Sequence, residues 1–303
     1  MDQAAKTIAV VIPVFNEEGN VDSLCARLDE LIQRHREYRW QLIFVDDGSS
    51  DRTVERLARR QGELPITVIC LSRNFGHQSA IKAGLDHADA DAVVTLDGDL
   101  QHPPELIDKL LEKWQQGYKV VHAVRRTITP GGWKSLFGSL GYRIINLFAE
   151  RPILPEAADF RLIDRVVADA LKQMYAPEPI LRSLVAWLGF DRTTVSYDVQ
   201  PRLSGKSSYS LRQMRKLLFS GIFDFSLKPL RCASLAGGSF LIVSICGHPW
   251  LFNWFSSTVS LVLMVGALEL FAMGLIAIYL GRAYRQSLGW PLYVIAEKLN
   301  FDK

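Results

Sequence analysis

The sequence predicts an α/β domain built on a doubly wound parallel sheet, followed by two C-terminal transmembrane helices. Three observations predict it. Short apolar runs alternate with stretches of helical periodicity up to about Leu211. Two of those runs end in acidic clusters, Asp46-Asp47 and Asp97-Gly98-Asp99. The stretch from Cys232 to Leu280 carries almost no charge.

Each element follows from its pattern. Ile8 to Ile12 is a continuous apolar run, as a strand buried on both faces requires. After the turn at Asn16-Glu17-Glu18-Gly19, the residues Val21, Leu24, Leu28, Leu31 and Ile32 recur at helical spacing. Leu42 to Val45 forms the second strand and runs into Asp46-Asp47-Gly48-Ser49-Ser50-Asp51. A helix passes through Val54, Leu57 and Ala58, and Ile66 to Leu71 is the third strand. A helix from about Gln78 to His87 leads to a fourth strand that ends at Asp97. Strands and helices alternating at these lengths imply parallel βαβ units. Successive acidic strand ends then meet at one sheet edge, where open α/β sheets bind ligands.

Size and composition limit the functions available. A chain of 303 residues holds one large domain or two smaller ones. A net charge of +3, with no basic stripe interleaved with aromatics, argues against a nucleic-acid partner. Cys25, Cys70, Cys232 and Cys246 have no metal spacing and read as reduced, buried thiols. Ile8 to Val14 is too short, and too interrupted by Pro13, for a signal peptide. No Gly-x-x-x-x-Gly-Lys-Ser/Thr and no Gly-x-Gly-x-x-Gly follows the first strand, which excludes P-loop kinases and dinucleotide dehydrogenases.

Asp97-Gly98-Asp99 carries the most chemistry. Two carboxylates one residue apart at a sheet edge suit a hard divalent cation, Mg²⁺ or Mn²⁺, that also holds substrate phosphates. The same residues would serve as turn and cap residues before a helix opened by Pro103 and Pro104. His102 reads as a loop residue rather than a ligand.

Two spans follow, one from Cys232 to about Phe252 and one from Thr258 to Leu280, both near membrane-crossing length. Lys216, Lys228 and Arg231 precede the first, Arg282 and Arg285 follow the second, and Gly247 to Ser257 has no Lys or Arg. The positive-inside rule puts the α/β domain in the cytoplasm. Trp250, Trp254 and Trp290 suit the interfacial belts, and Glu269 in mid-span reads as an oligomer contact. The domain order expected is therefore residues 1–210 catalytic, 211–230 amphipathic and juxtamembrane, 231–281 the two spans, and 282–303 a cytoplasmic tail.

Several stretches, in order, resemble the family 2 glycosyltransferases, specifically the polyprenyl-phosphate hexosyltransferases related to dolichyl-phosphate mannose synthase and to the bactoprenol glucosyltransferases. They are Val11-Ile12-Pro13-Val14-Phe15-Asn16-Glu17-Glu18, Val45 to Asp51, Leu71 to Gly76, Asp97 to Gln101, and Asp159-Phe160-Arg161-Leu162. Pro201-Arg202 with Gly205, Phe225 to Arg231, and Tyr279-Leu280-Gly281-Arg282 complete the set. The resemblance implies a nucleotide-diphospho-sugar transferase fold, the Rossmann-like GT-A type. It implies that Pro13, Phe15 and Glu17 line the nucleotide pocket and that Asp46 or Asp47 accepts from the base. It implies that Asp97, Asp99 and Gln101 hold the metal and, through it, the diphosphate. Arg125, Arg126, Lys134 and Arg202 are the resemblance's candidates for the acceptor phosphate, with Asp159 as the late active-site acid. Departures from the family pattern are Gly98 in place of Ala, Ala157-Ala158 in place of Thr-Gly, Ser208 in place of Lys, and Ile278 in place of Glu.

The expected activity is inverting transfer of a hexose, glucose from UDP-glucose, to undecaprenyl phosphate, in a bacterial inner-membrane homo-oligomer that the resemblance makes a tetramer. Mannose from GDP-mannose, an N-acetylhexosamine or an aminoarabinose-type sugar are the alternative donors. Too few spans and no Gln-x-x-Arg-Trp stretch stand against a processive polysaccharide synthase. A scaffold with a vestigial nucleotide pocket is the non-catalytic alternative, which the retained Glu17, Asp97, Asp99 and Gln101 oppose.

Overall fold

A computed structural model describes residues 5–125, 157–174, 181–197 and 258–300, with isolated backbone positions between 230 and 239. It divides into one unit of residues 1–135, 153–208 and 291–303 and a second of residues 136–152 and 209–290.

The first unit is a sheet with helices on its faces. Its strands are β1 (Thr7–Val14), β2 (Arg39–Asp46), β3 (Ile66–Leu71), β4 (Ala92–Thr95), β5 (Val120–Arg125), β6 (Ala157–Asp164), β7 (Arg192–Tyr197) and β8 (Ile295–Leu299). Their order is β7-β5-β6-β4-β1-β2-β3-β8. Strands β3, β2, β1 and β4 are parallel, as the alternating pattern requires. The expectation of a wholly parallel sheet is corrected at two places. Strand β6 runs antiparallel to both β4 and β5, and β8 runs antiparallel to β3. The first reversal has a simple cause: β5 ends at the carboxyl edge and the chain re-enters the sheet from that same edge, which reverses the next strand.

The helices are α1 (Val21–Arg34), α2 (Thr53–Arg60), α3 (His77–His87), α4 (Leu106–Gln115), α5 (Arg165–Gln173) and α6 (Leu181–Leu188). Helix α1 buries Val21, Leu24, Cys25, Leu28 and Leu31, the stripe its periodicity foretells. These pack with Ile8, Val10, Ile12, Leu42 and Phe44 into a core that also takes Leu110, Phe160 and Leu162. On the opposite face α3 lies so close that a Cβ on Gly84 would come within 2.2 Å of Val11 Cγ1. The side chains of Val11 and Val45 pack there directly on the helix backbone, with no side chain from α3 between them. With both faces covered, β1 is buried from Ile8 to Val14, which explains its unbroken apolar run.

The stretch read from sequence as a C-terminal tail supplies β8. Val294 enters beside the end of β3, its carbonyl accepting from Ser72 N at 2.8 Å, and Tyr293 Oη donates to Asp86 Oδ2 at 3.0 Å. The C-terminal segment therefore joins the sheet at its carboxyl edge.

The second unit contains α7 (Thr258–Ser287), a helix of 30 residues ended by Gly289 at φ +63. Leu270, Phe271, Met273, Ile276 and Leu280 are exposed along it. Among the described residues no helix is long and apolar enough to cross a membrane; the described side chains of α7 include Glu269, Arg282 and Arg285. Nearly all of the expected first span and of the juxtamembrane stretch 211–230 lies outside the described residues, as do Arg126, Lys134 and Arg202.

Candidate active site

The site is assembled at the carboxyl edge from the ends of β1, β2 and β4, the start of β6, and the first residues of α3. The loops after β1 and β2 are stitched together by side chains that accept backbone N–H groups. Asn16, at φ +55, donates its N–H to Ser49 Oγ at 2.8 Å, while its own Oδ1 takes Ser50 N at 2.8 Å. Glu17 N donates to Thr53 Oγ1 at 2.8 Å, and Glu18 and Arg52 exchange contacts with Asp51 and Glu18 side chains in the same way. Such loops prefer short polar residues because their side chains replace missing backbone partners. Pro13 is buried at the end of β1, Phe15 stands exposed beside it, and the Glu17 carboxylate takes the side-chain amide of Asn20.

Asp46 and Asp47 are both buried, and each is engaged with backbone. Asp46 accepts from Ser49 N at 3.1 and 3.3 Å. Asp47 accepts from Phe75 N at 2.7 Å and Gly76 N at 2.9 Å, which fixes the entry to α3. Burial raises the Asp47 carboxyl above its ordinary value, against the pull of those two N–H groups. Gly48, at φ +77, lies against the loop after β3, where a Cβ would meet Arg73 C at 2.8 Å.

The metal-site candidates follow β4. Gly98 lets this segment press on β1, since a Cβ there would lie 2.9 Å from Val14 Cγ1 and 3.2 Å from Pro13 O. Asp99 Oδ1 accepts from Gln101 N at 3.1 Å and its Oδ2 from Gln101 Nε2 at 2.7 Å. Between them Leu100 sits at φ +58, a left-handed conformation that costs a branched residue about 1–2 kcal/mol. Strain of that kind persists where the surroundings over-determine the loop. Asp97 is flanked by two imidazoles, His77 Nε2 at 3.3 Å from Oδ1 and His102 Nε2 at 3.1 Å from Oδ2. Burial opposes its charge, but the His102 and His77 imidazoles beside it hold its carboxyl well below the usual carboxylate range. His102 is fully buried and its Nδ1 meets the Tyr197 hydroxyl, so it is a fixed support for Asp97. Among the described residues no three His, Cys, Asp or Glu side chains gather into a metal site. The donor set still fits Mg²⁺ or Mn²⁺: all-oxygen ligands, two of them carboxylates, suffice when the substrate's phosphates complete the shell.

Asp159, on β6, faces this group. Its Oδ1 takes Arg161 Nη2 at 2.7 Å with Arg182 of α6 at 3.5 Å, and its Oδ2 takes Gln78 Nε2 at 2.8 Å with His77 at 3.7 Å. Burial disfavours the charge; the nearby His77 imidazole and the two guanidinium groups outweigh that and depress the carboxyl well below its normal value. His77 is itself pushed up to about 10, because the Asp159 and Asp97 carboxylates beside it outweigh the cost of its partial burial. A carboxylate held this firmly ionised orients a partner better than it accepts a proton.

The structure thus brings Pro13, Phe15, Glu17, Asp46, Asp47, Asp97, Asp99, Gln101 and Asp159 to one edge, and β5 ends there at Arg125. Sequence reasoning missed His77, Gln78, Arg161 and Arg182. Arg161 was legible, since alternation along a strand puts residues i and i+2 on one face. His77 and Gln78 directly follow the Leu71 to Gly76 stretch. Arg182 has no local signal.

Residues 9–171 match Glycosyl transferase family 2. An uncharacterized glycosyltransferase, YkcC of Bacillus subtilis, is 39% identical over 97% of this chain and 94% of its own length. The bactoprenol glucosyl transferase of Shigella phage SfV is 32% identical over 95% of this chain and 97% of its own. Among solved structures, the mannosyltransferase PcManGT of Pyrobaculum calidifontis, in complex with GDP-Man and Mn²⁺, has a TM-score of 0.52 at 15% identity, covering 95% of this chain and 87% of that one, and so shares the fold. With the strand order, the Asp97-Asp99 edge and Asp159 opposite it, these matches place the chain in glycosyl transferase family 2.

Proposed function

We propose that the protein is an inverting hexosyltransferase that moves one sugar from a nucleotide sugar, UDP-glucose first, to polyprenyl phosphate in the bacterial inner membrane. The observation that carries it is the opposition of Asp97-Asp99 and Asp159 across His77 at one sheet edge. That arrangement offers a place for a leaving diphosphate on one side and an acceptor on the other. The near-full-length likeness to bactoprenol glucosyl transferases supports the choice of acceptor and sugar.

A divalent cation on Asp97, Asp99 and Gln101 would supply Lewis-acid neutralisation of the departing nucleotide. Glu17 and Phe15 would receive the ribose and base. The acceptor is a lipid monophosphate, mostly deprotonated at neutral pH because its second pKa is near ~6. Its oxygen attacks the anomeric carbon from the face opposite the diphosphate; the new C–O bond forms as the old one breaks, and the nucleotide diphosphate departs with the electron pair. Since the nucleophile arrives charged, Asp159 serves to orient acceptor and sugar, while Arg125, Arg126, Lys134 and Arg202 would hold the phosphate.

Membrane attachment rests on the apolar sequence from Thr258 to Leu280 and on the exposed Leu, Phe, Met and Ile side chains of α7. Topology adds a constraint. Strands β7 and β8 belong to one sheet, so the chain between them crosses a membrane an even number of times. Two spans with the catalytic sheet in the cytoplasm satisfy it. An impermeant thiol reagent on intact cells should label a cysteine at Ser257 and spare one at Ser287, and the reverse result excludes this orientation.

The deciding experiment incubates the protein in membranes with labelled UDP-glucose, other UDP-sugars or GDP-mannose plus undecaprenyl phosphate. Metal-dependent transfer from UDP-glucose to the lipid is expected; transfer from GDP-mannose alone would replace the donor, and no transfer from any would overturn the reading.

A further inference from the structure

His77 stands between the two halves of the site and belongs fully to neither. Its Nε2 lies 3.3 Å from Asp97 Oδ1 and 3.7 Å from Asp159 Oδ2. Both distances exceed a well-made N–H···O bond, about 2.7–3.2 Å, and one ring N–H can serve one acceptor well at a time. The neighbouring contacts are better made. Asp159 Oδ2 already takes Gln78 at 2.8 Å, and Asp97 Oδ2 takes His102 at 3.1 Å.

The two histidines on Asp97 differ in freedom. His102 is 1% exposed, pinned by Tyr197 on its other nitrogen and by the rings of Phe160 and Tyr197 at 5.7 and 5.5 Å. The His77 side chain is 44% exposed, at the first position of α3 after Gly76. A cation binding a carboxylate oxygen sits at about 2.0–2.6 Å and competes for the lone pairs that the imidazole uses. Of the two rings, His77 is the one able to yield.

We propose that His77 couples donor to acceptor: a divalent cation loading on Asp97 displaces the His77 ring from that carboxylate, and the freed ring donates to the acceptor phosphate beside Asp159. The proposal rests on the transferase reading above. It makes His77 a residue through which metal–donor occupancy raises acceptor affinity, so that the lipid phosphate is gripped once a sugar is present to receive. An arriving phosphate offers three acceptor oxygens, where the ring now faces only Asp97 Oδ1 and an Asp159 Oδ2 already taken by Gln78.

The test uses the full-length protein in lipid nanodiscs and two binding measurements, neither needing turnover. Mn²⁺ affinity is measured by electron paramagnetic resonance, and undecaprenyl-phosphate affinity is measured with and without Mn²⁺ plus UDP. In the wild type, Mn²⁺ and UDP should tighten lipid binding by about tenfold, a typical coupling. His77→Ala should bind Mn²⁺ more tightly, because a competitor for Asp97 is gone, yet should lose most of the coupling, leaving less than about twofold. His77→Gln, which keeps a donor, should recover part of it. Loss of affinity in both measurements would make His77 a ligand or a structural residue and overturn the proposal, as would no change in either. A wild type that binds Mn²⁺ but no polyprenyl phosphate in any state would overturn the acceptor reading, and the release step with it.

Discussion

Gln78 Nε2 donates to Asp159 Oδ2 at 2.8 Å while its Oε1 accepts from Leu181 N, the first residue of α6, at 3.1 Å. One amide therefore sets a catalytic-edge carboxylate and the start of the helix that carries Arg182. Gln78→Ala should lower transfer about tenfold, roughly 1.4 kcal/mol in barrier, with a larger change in acceptor KM than in donor KM. Gln78→Glu should be worse, because a second carboxylate would face Asp159. Steady-state kinetics with each substrate varied separately check both; equal loss for the two substrates would assign Gln78 to the fold alone.

Asp99→Ala should reduce transfer to less than a tenth of wild type while expression and the yield of folded protein stay unchanged. The substitution removes a proposed cation ligand and also releases Gln101, whose N–H and amide both rest on it. Asp99→Asn separates the two effects, since it keeps an acceptor for the Gln101 N–H and loses the charge. If Asp99→Asn retains activity, the carboxylate matters for loop shape and not for a cation.

Gly84→Ala should destabilise the first unit by about 1–3 kcal/mol, because a Cβ 2.2 Å from Val11 Cγ1 forces α3 off the sheet. Thermal unfolding would register a drop of several degrees. Val11→Ala in the Gly84→Ala background should restore part of the loss, although Val11→Ala alone costs stability by leaving a cavity. Simple additivity of the two would show that the clash is relieved elsewhere.

His122 gives stability a dependence on pH away from the site. It is buried on β5, opposite Arg161, and its Nδ1 has no hydrogen-bond partner. Burial, and then the nearby charges of Arg161, Arg192 and Arg182, push it down to about 3. The unfolded chain binds a proton at about 6.5 where the folded one does not, so this group's contribution is undiminished above pH 6.5 and erodes as pH falls toward 3. The slope should approach 1.4 kcal/mol per pH unit. Urea midpoints at pH 7.5 and 5 check it, and His122→Gln should flatten the difference.

Much of this was legible from residue patterns, and particular residues show where legibility stops. The run from Ile8 and the stripe of Val21, Leu24, Leu28 and Leu31 are local signals, and the observed β1 and α1 follow them. Ile66–Leu71 is a strand between the bounds expected. The antiparallel β6 and β8 were not legible, because direction depends on the edge from which a connection returns, which no local period encodes. The same holds within the site. Asp97, Asp99 and Asp159 stand out by type and position, whereas His77 gains its meaning only when α3 carries it between two carboxylates. Asp46 and Asp47 could be read as recognition residues; their backbone partners, Ser49, Phe75 and Gly76, become visible only in three dimensions.

Strand β8 also dictates an order of assembly. The outer edge of β3 is complete only when Ile295–Leu299 arrives, and those residues are translated after everything between β7 and α7. During synthesis the rest of the first unit can collapse, since N-terminal segments fold first at about 5–20 residues per second. Until the last strand docks, β3 presents unpaired backbone groups, the kind of edge that recruits other chains. A ribosome stalled before Ile295, or a chain truncated there, would leave an adhesive catalytic unit. Completion of the sheet thus reports that the entire intervening segment has been made and delivered.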